Sequence, residues 1–219
     1  MLQWDRDDDL DSIGSNLYRG LSTNGPFVKV TAFPLTNRYY TDFDVTNGQR
    51  YCYKVRVVDS LGERRASRVV TAWPGAFRDN DAFLDYLQHT AVDYFWYESN
   101  PANGLIRDRS EPDSPCSIAA VGFGLTAMAI GVEHGWIPRA AARDRTLAAL
   151  STFWRGPEGT DRHGVIGYRG WFYHFLDMRR ATRWRDSELS SIDTALLLAG
   201  VLDARQYFNR ADSEEAAIR

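Results

Sequence analysis

The sequence predicts two folded parts in succession: a small β-sandwich, then an all-α array in which buried helices alternate with amphipathic ones. Three observations carry this. Up to about residue 72, short β-branched and aromatic runs alternate with period two and are separated by Gly, Pro and Asn turn signals. From Asp79 onward the apolar residues recur at spacings of three and four. Between these regions Trp73-Pro74-Gly75 ends the strand pattern, since proline and glycine punctuate elements. The expected domains are residues 1–73 and 79–219.

In the first part, Val28 to Thr31, Tyr51 to Asp59 and Arg68 to Ala72 read as strands. Asn24-Gly25-Pro26, Asn47-Gly48 and Leu61-Gly62 read as the turns between them. Short strands at this spacing predict a sandwich. Five aspartates between Asp5 and Asp11 read either as a calcium loop or as a solvated acidic turn. The regular oxygen-ligand spacing of a dedicated loop is missing, which favours the turn.

In the second part, Phe83, Leu84, Leu87, Ala91, Tyr94 and Phe95 define one face of a first helix, with Asp79 or Asp81 placed to cap it. A second helix, about Ser117 to His134, is apolar or small all round, the pattern of a helix buried on every side. Gly135 stops it, and Pro138 opens a third that runs to about Trp154. A fourth runs from about Glu188 to Phe208 and is again uniformly apolar through its middle; a fifth starts at Asp212. The second and third helices are joined by about four residues and form an antiparallel hairpin. Long loops, about Asn100 to Cys116 and Arg155 to Ser187, make the other two connections. Because helix direction alternates, both loops emerge at one end of the array, and long structureless loops in compact domains are usually functional. Buried helices behind amphipathic ones describe inner and outer rings, the layout of an (α/α) toroid, which five helices do not close.

Composition narrows the function. Of 219 residues 44% are hydrophobic and 25% charged, with net charge −3 and a pI near 5.8, so the chain is neither disordered nor a basic nucleic-acid binder. No stretch approaches the roughly 20 apolar residues of a membrane span. Cys52 and Cys116 fall in a strand and a distant loop and are expected to stay unpaired. No cofactor is implied. His89, His134, His163 and His174 lack paired metal-ligand spacing, and no Gly-x-Ser-x-Gly nucleophile elbow occurs.

Several segments then carry a resemblance. Leu17-Tyr18-Arg19, Gly25-Pro26-Phe27, Tyr40-Thr41-Asp42, Val45 to Val55 and Val58 to Gly62 resemble, in order, the later strands of fibronectin type III modules attached to bacterial polysaccharide enzymes. Leu2-Gln3-Trp4 is similar to that module's second strand. The resemblance therefore implies a missing first strand and a chain that starts in mid-domain, where an export signal would be lost. Tyr94 to Glu98 with Gly104 to Ser110, Gly164 to Asp177, and Glu188 to Leu196 resemble the glucoamylase-like (α/α)6 toroid glycoside hydrolases, a family that includes β-1,2-glucan hydrolases. This implies the first part of such a catalytic domain, truncated at its C-terminus and inactive alone. The full-length parent would be periplasmic or secreted, with an oligo- or polysaccharide substrate.

Glycoside hydrolysis needs two carboxyl groups flanking one bond. The loop end supplies Asp108, Asp177, Asp186, Glu188 and Asp193, with Tyr168, Trp171, Phe172, Tyr173 and His174 as sugar platforms. Glu188 and Asp193 are the candidate catalytic pair; Asp108, Arg109, Tyr168, Trp171, His174 and Asp177 are candidate substrate contacts. A carboxyl entering an apolar helix is expected to have its pKa raised by desolvation, which suits a general acid. Each residue also has a structural reading. Ser190 and Asp193 fit a capping box, Glu188 a first helical turn, Asp108 a loop ion pair, His174 a structural hydrogen bond and Trp171 the core. Two other functions stay open: a carbohydrate-binding scaffold, and a polysaccharide lyase on the same fold.

Overall fold

A computed structural model describes residues 1–4, 12–111 and 113–219, so the Asp5 to Asp11 cluster lies outside the described residues. The chain divides into two compact units, Met1–Phe83 and Leu84–Arg219.

The first unit is built from β1 (Leu2–Gln3), β2 (Gly14–Gly20), β3 (Phe27–Lys29), β4 (Tyr39–Tyr40), β5 (Tyr51–Asp59), β6 (Gly62–Ala66) and β7 (Val70–Ala72). β5 is its centre and pairs antiparallel with β2, β6 and β7, while β3 adds to the outer edge of β2. β1 and β4 form a separate two-stranded ribbon. Leu17, Tyr51 and Tyr53 form the core, with Leu2, Val30, Tyr40 and Val55 packed on it. β6, Gly62-Glu63-Arg64-Arg65-Ala66, has no hydrophobic alternation and escapes a reading by pattern. It is an edge strand held by its charges: Glu63 accepts from Asn16 Nδ2 at 2.6 Å and Tyr18 OH at 2.5 Å, and Arg64 pairs with Asp59 at 2.6 Å. Charged residues on an edge also discourage pairing with other chains.

The second unit holds α1 (Asn80–Tyr97, whose first turn falls in the preceding unit), β8 (Cys116–Ser117), α2 (Ile118–Glu133), α3 (Arg139–Arg155), β9 (Gly167–Tyr168), β10 (Trp171–Phe172), β11 (Phe175–Leu176), α4 (Ser191–Tyr207) and α5 (Ser213–Ala216). Asp79 caps α1 by accepting from Ala82 N at 2.8 Å. Gly135, at φ 71°, ends α2, and the turn it makes folds α3 back onto α2. α2 is mostly buried, through Ile118, Val121, Leu125 and Met128, but not on every side as its composition predicts, since Phe123 is 54% exposed. Its closest partner is α4. A Cβ on Gly122 would stand 2.3 Å from the Leu196 carbonyl oxygen, and one on Gly200 would stand 2.1 Å from that of Gly122, so the two backbones touch.

α4 departs from the expectation of burial all round. Thr194, Leu197, Gly200 and Ala204 are buried, whereas Ile192 and Leu202 are 70% and 60% exposed. Among the described residues α4 packs against α2 and β10, which cover one of its faces. It also starts three residues later than its apolar pattern suggests. Ser190, at φ −114° and ψ 117°, is extended, and its Oγ accepts from Asp193 N.

The long loops are not structureless. Buried backbone groups need partners, and here bridges pair Ser99 with Ile106 and Arg107 with Cys116, β8 pairs with β11, and Leu176 meets Arg183. Arg107, Cys116, Leu176 and Arg183 are therefore successive rungs of one small patch. Both long loops end in it, as the alternation of helix direction predicts.

α5 is anchored by charge. Arg139 grips Glu215 through Nε at 2.6 Å and Nη2 at 2.9 Å, donates to the Tyr207 carbonyl at 2.9 Å, and lies over the rings of Tyr207 and Phe208. The Arg139 bonds hold the Glu215 carboxyl down to about 2 from an ordinary 4.5. A carboxylate whose folded pKa is depressed stabilises above its unfolded value and loses that contribution as pH falls through the folded one. Thermal unfolding between pH 5 and 2.5 should therefore show a steep loss of stability that flattens in Arg139→Met. Equal slopes in both proteins would remove the pair from the acid response.

Candidate active site

The β9–β10 hairpin sets Tyr168 opposite Trp171. Its turn needs left-handed backbone at Arg169 (φ 52°) and Gly170 (φ 78°), and Glu158 Oε1 accepts from Gly170 N at 3.1 Å. Trp171 is 48% exposed, against a core role for it. After the hairpin, Phe172 N donates to Thr194 Oγ1 at 3.1 Å, and Ser190 N donates to Phe172 O at 3.0 Å, which fixes the hairpin to the first turn of α4.

His174 is the hub of the site. Its backbone N donates to the Glu188 carbonyl at 2.9 Å, and its carbonyl accepts from Ile118 N at 3.2 Å. Its ring stacks on Phe175 at 3.8 Å between centroids. Nδ1 lies 2.8 Å from Glu188 Oε1, and Nε2 lies 3.8 Å from Asp193 Oδ2. An imidazole thus stands between the two carboxylates proposed from the sequence. Asp193 is the more buried of the two, with its side chain 15% exposed against 67% for Glu188. The Ser190 hydroxyl donates to Asp193 Oδ2 while accepting from Asp193 N. The cap therefore forms, but the reciprocal bond of a full capping box does not, because Ser190 N is bonded to Phe172.

The electrostatics of Glu188 run opposite to the sequence expectation. Glu188 precedes α4 and is largely exposed, so desolvation is weak. Its own backbone N–H, then the His174 bond and the positive charge of Arg183, hold its carboxyl below the usual range. A carboxylate kept ionised suits a general base or nucleophile better than a general acid.

The other candidates sit around this cluster. Asp108 N donates to Pro115 O at 2.9 Å, beside the rung formed by Arg107 and Cys116; its carboxylate lies 3.5 Å from Arg109 Nε, an arm 64% exposed. Asp177 Oδ1 accepts from Arg179 N at 2.9 Å and Arg180 N at 2.7 Å, closing a tight turn that leaves its second oxygen for other work. Asp186 pairs with Arg162 at 2.8 Å at the surface. Among the described residues, no hydrogen bond or ion pair joins Asp108, Asp177, Tyr168 or Trp171 to the His174 cluster. No three His, Cys, Asp or Glu side chains among them converge as a metal site.

Arg183 was invisible to sequence reasoning. It donates from Nε to the Ser187 carbonyl at 2.7 Å and stacks over Tyr173 at 4.3 Å, bracing the segment that carries Glu188. The turn that delivers it requires Ala181 at φ 54°, a conformation that no local pattern announces.

No family model matches the chain. Among characterised proteins it is 32% identical over 194 residues to the exo β-1,2-glucooligosaccharide sophorohydrolase (non-reducing end) of Parabacteroides distasonis, a match covering 85% of this chain and 25% of that protein. The crystal structure of a β-1,2-glucanase from Parabacteroides distasonis superposes with TM-score 0.79 and 27% identity, covering 99% of this chain and 30% of the other. The chain resembles the β-1,2-glucanases. It spans about a quarter of the length of the sophorohydrolase that it matches. An endo-β-1,2-glucanase from Chitinophaga pinensis, solved with sophorotriose and glucose, shares the fold over 64% of this chain, with TM-score 0.52 and 21% identity. A 67-residue stretch is also 40% identical to an amylopullulanase of Thermoanaerobacter thermohydrosulfuricus, covering 31% of this chain and 4% of that protein.

Proposed function

We propose that the chain is part of a glycoside hydrolase that cleaves a β-glucan with β-1,2 linkages by paired-carboxylate chemistry. In this reading residues 1–73 belong to a fibronectin type III-like module, and residues 79–219 belong to a glucoamylase-like (α/α)6 toroid. The complete protein would work in the periplasm or outside the cell. The observation that carries the reading is the Glu188–His174–Asp193 cluster, set at the end where both long loops meet, in a chain alike over 194 residues to a sophorohydrolase.

The chemistry assigns Glu188 to activate water or attack the anomeric carbon as an ionised carboxylate, with His174 holding its Oε1. Asp193 shapes the same pocket from the first turn of α4. Tyr168 and Trp171 offer aromatic faces to sugar rings, and Asp108, Arg109 and Asp177 accept or donate to hydroxyls. The second carboxyl of the pair is expected on helices beyond α5, completing the ring.

Incubation with linear β-1,2-glucan and measurement of reducing ends tests this. The 219-residue chain alone should release nothing, whereas a protein carrying it within a complete ring should release short oligosaccharides. Parental rates from the chain alone would overturn the shared-site reading. Binding without cleavage by the complete ring would turn the assignment to a carbohydrate-binding scaffold, and unsaturated products to a lyase.

A further inference from the structure

We infer that Tyr94, Glu98 and Arg107 form a positioning bracket that presets the Asp108 carboxylate to receive sugar hydroxyls, an inference that rests on the glycan reading above. The Glu98 side chain is wholly buried, with 0% exposure, and pairs with Arg107 Nη1 through Oε2 at 3.0 Å. Among the described residues, its Oε1 and the Nε of Arg107 have no hydrogen-bond partner. A buried ion pair repays its desolvation only when its remaining polar atoms are satisfied, and an apolar pair of similar volume is often as stable. Stability alone therefore does not account for Glu98. Geometry does.

Arg107 is held at three points. Its N donates to the Glu98 carbonyl at 3.1 Å, its guanidinium to Glu98 Oε2, and its carbonyl accepts from Tyr94 OH at 2.7 Å. Burial, reinforced by Glu98 and Asp108, pushes the Tyr94 phenol up to about 12, so its hydroxyl stays protonated and able to donate. On the far side Asp108 N is bonded to Pro115 O, and Arg109 N to the buried Ser114 Oγ at 2.9 Å. The main chain is thus fixed before and after Asp108. The Asp108 carboxylate itself is one-third exposed, and Arg109 Nε, at 3.5 Å, is too far for a strong bond. A rigid backbone bearing an under-used carboxylate is a pre-organised acceptor for the adjacent hydroxyls of a glucose ring, and pre-organisation lowers the ordering cost of binding. None of the three residues need touch the sugar.

Tyr94→Phe is the test, because it deletes one hydroxyl and keeps the ring, whereas Glu98 variants strand the Arg107 charge and endanger the fold. In the 219-residue chain, amide exchange at Arg107, Asp108 and Arg109 should accelerate about tenfold, the loss of roughly one hydrogen bond, while amides in α2 and α3 keep their rates. Binding of a β-1,2-linked glucotriose to a protein that carries the chain within a complete ring, followed by titration calorimetry, should weaken about fivefold on Tyr94→Phe in the wild-type background and not measurably in Asp108→Ala, since coupled positions are not additive. Equal weakening in both backgrounds would reduce Tyr94 to a structural role, and unchanged exchange would remove the bracket. Absence of glucotriose binding by a protein that carries the chain within a complete ring would remove the glycan reading, whereas binding there that Asp108→Ala leaves unchanged would remove Asp108 as the receiver of the sugar and keep that reading. The exchange measurement decides the bracket in either case.

Discussion

Gly200→Ala is expected to cost the helical unit about 2–3 kcal/mol, and Gly200→Val to prevent its folding. The new Cβ would stand 2.1 Å from the Gly122 carbonyl oxygen and 2.7 Å from that residue's carbonyl carbon and Cα. These are backbone atoms inside a helix, so no flexible side-chain end can rotate away. Gly122→Ala meets the same wall from the other side, 2.3 Å from the Leu196 oxygen. Relief requires α2 and α4 to move apart, which opens voids beside Val121, Leu125 and Leu197, and cores are too densely packed to accept that cheaply. Gly75→Ala is the control. A Cβ there has nothing within 4 Å and Gly75 is not at a positive φ, so stability should hold or rise slightly. Denaturant midpoints followed by far-UV circular dichroism give the comparison. A Gly200→Ala loss no larger than that of Gly75→Ala would show that the helices slide freely.

That crossing shows which parts of the fold the sequence carried and which it did not. The helix periods, the Gly135 stop and the order of strands before helices were readable because each is local, a matter of spacing within a few residues. The glycines of α2 and α4 were not. In the sequence Gly122 and Gly200 read as small residues in apolar runs, and only the meeting of two helices makes them contact points. β6 failed for another reason, since its stability comes from ion pairs to Asp59 and bonds to Asn16 and Tyr18 rather than from alternating burial.

The site divides in the same way. Ser190 could be read as a cap because Ser-x-x-Asp is a local motif, and the cap sets where α4 begins. The expected shift of Glu188 had the wrong sign because it assumed the residue lay inside the helix. Moving the helix start to Ser191 leaves Glu188 exposed, where its backbone N–H, His174 and Arg183 outweigh desolvation. The convergence of His174 on both acids depends on β11 pairing with β8 and on Tyr173 meeting Leu189, pairings between segments far apart in sequence. Arg183 and the Glu98–Arg107 pair are long-range in the same sense, and nothing in their neighbours' types announces them.

Glu188→Gln, in a protein that carries this chain within a complete ring, is expected to lower turnover by about 100- to 10,000-fold, the range for removing one acid–base group. The amide keeps the shape and a hydrogen bond to His174 but cannot accept a proton or attack as an anion. Because Glu188 is exposed and outside α4, the fold should survive, with a thermal midpoint close to that of the parent. Asp193→Asn tests a different balance. Asp193 is partly buried and bonded to the Ser190 hydroxyl, so its replacement disturbs the cap as well as the pocket. Ser190→Ala separates the two, since it removes the cap, at about 1 kcal/mol, and leaves the Asp193 carboxylate in place. If Asp193→Asn loses activity only to the extent that Ser190→Ala does at equal loss of stability, Asp193 is a cap and not a catalyst. The pH profile adds a sign. Glu188 acts when ionised and its pKa is depressed, so activity should persist to lower pH than an ordinary glutamate permits. His174→Phe deletes the second-largest cause of that depression, and the acidic limb of kcat/KM should move upward in pH. An acidic limb that stays in place in His174→Phe, or a Glu188→Gln protein that keeps parental turnover, would remove Glu188 from the chemistry and leave it a surface partner of the imidazole.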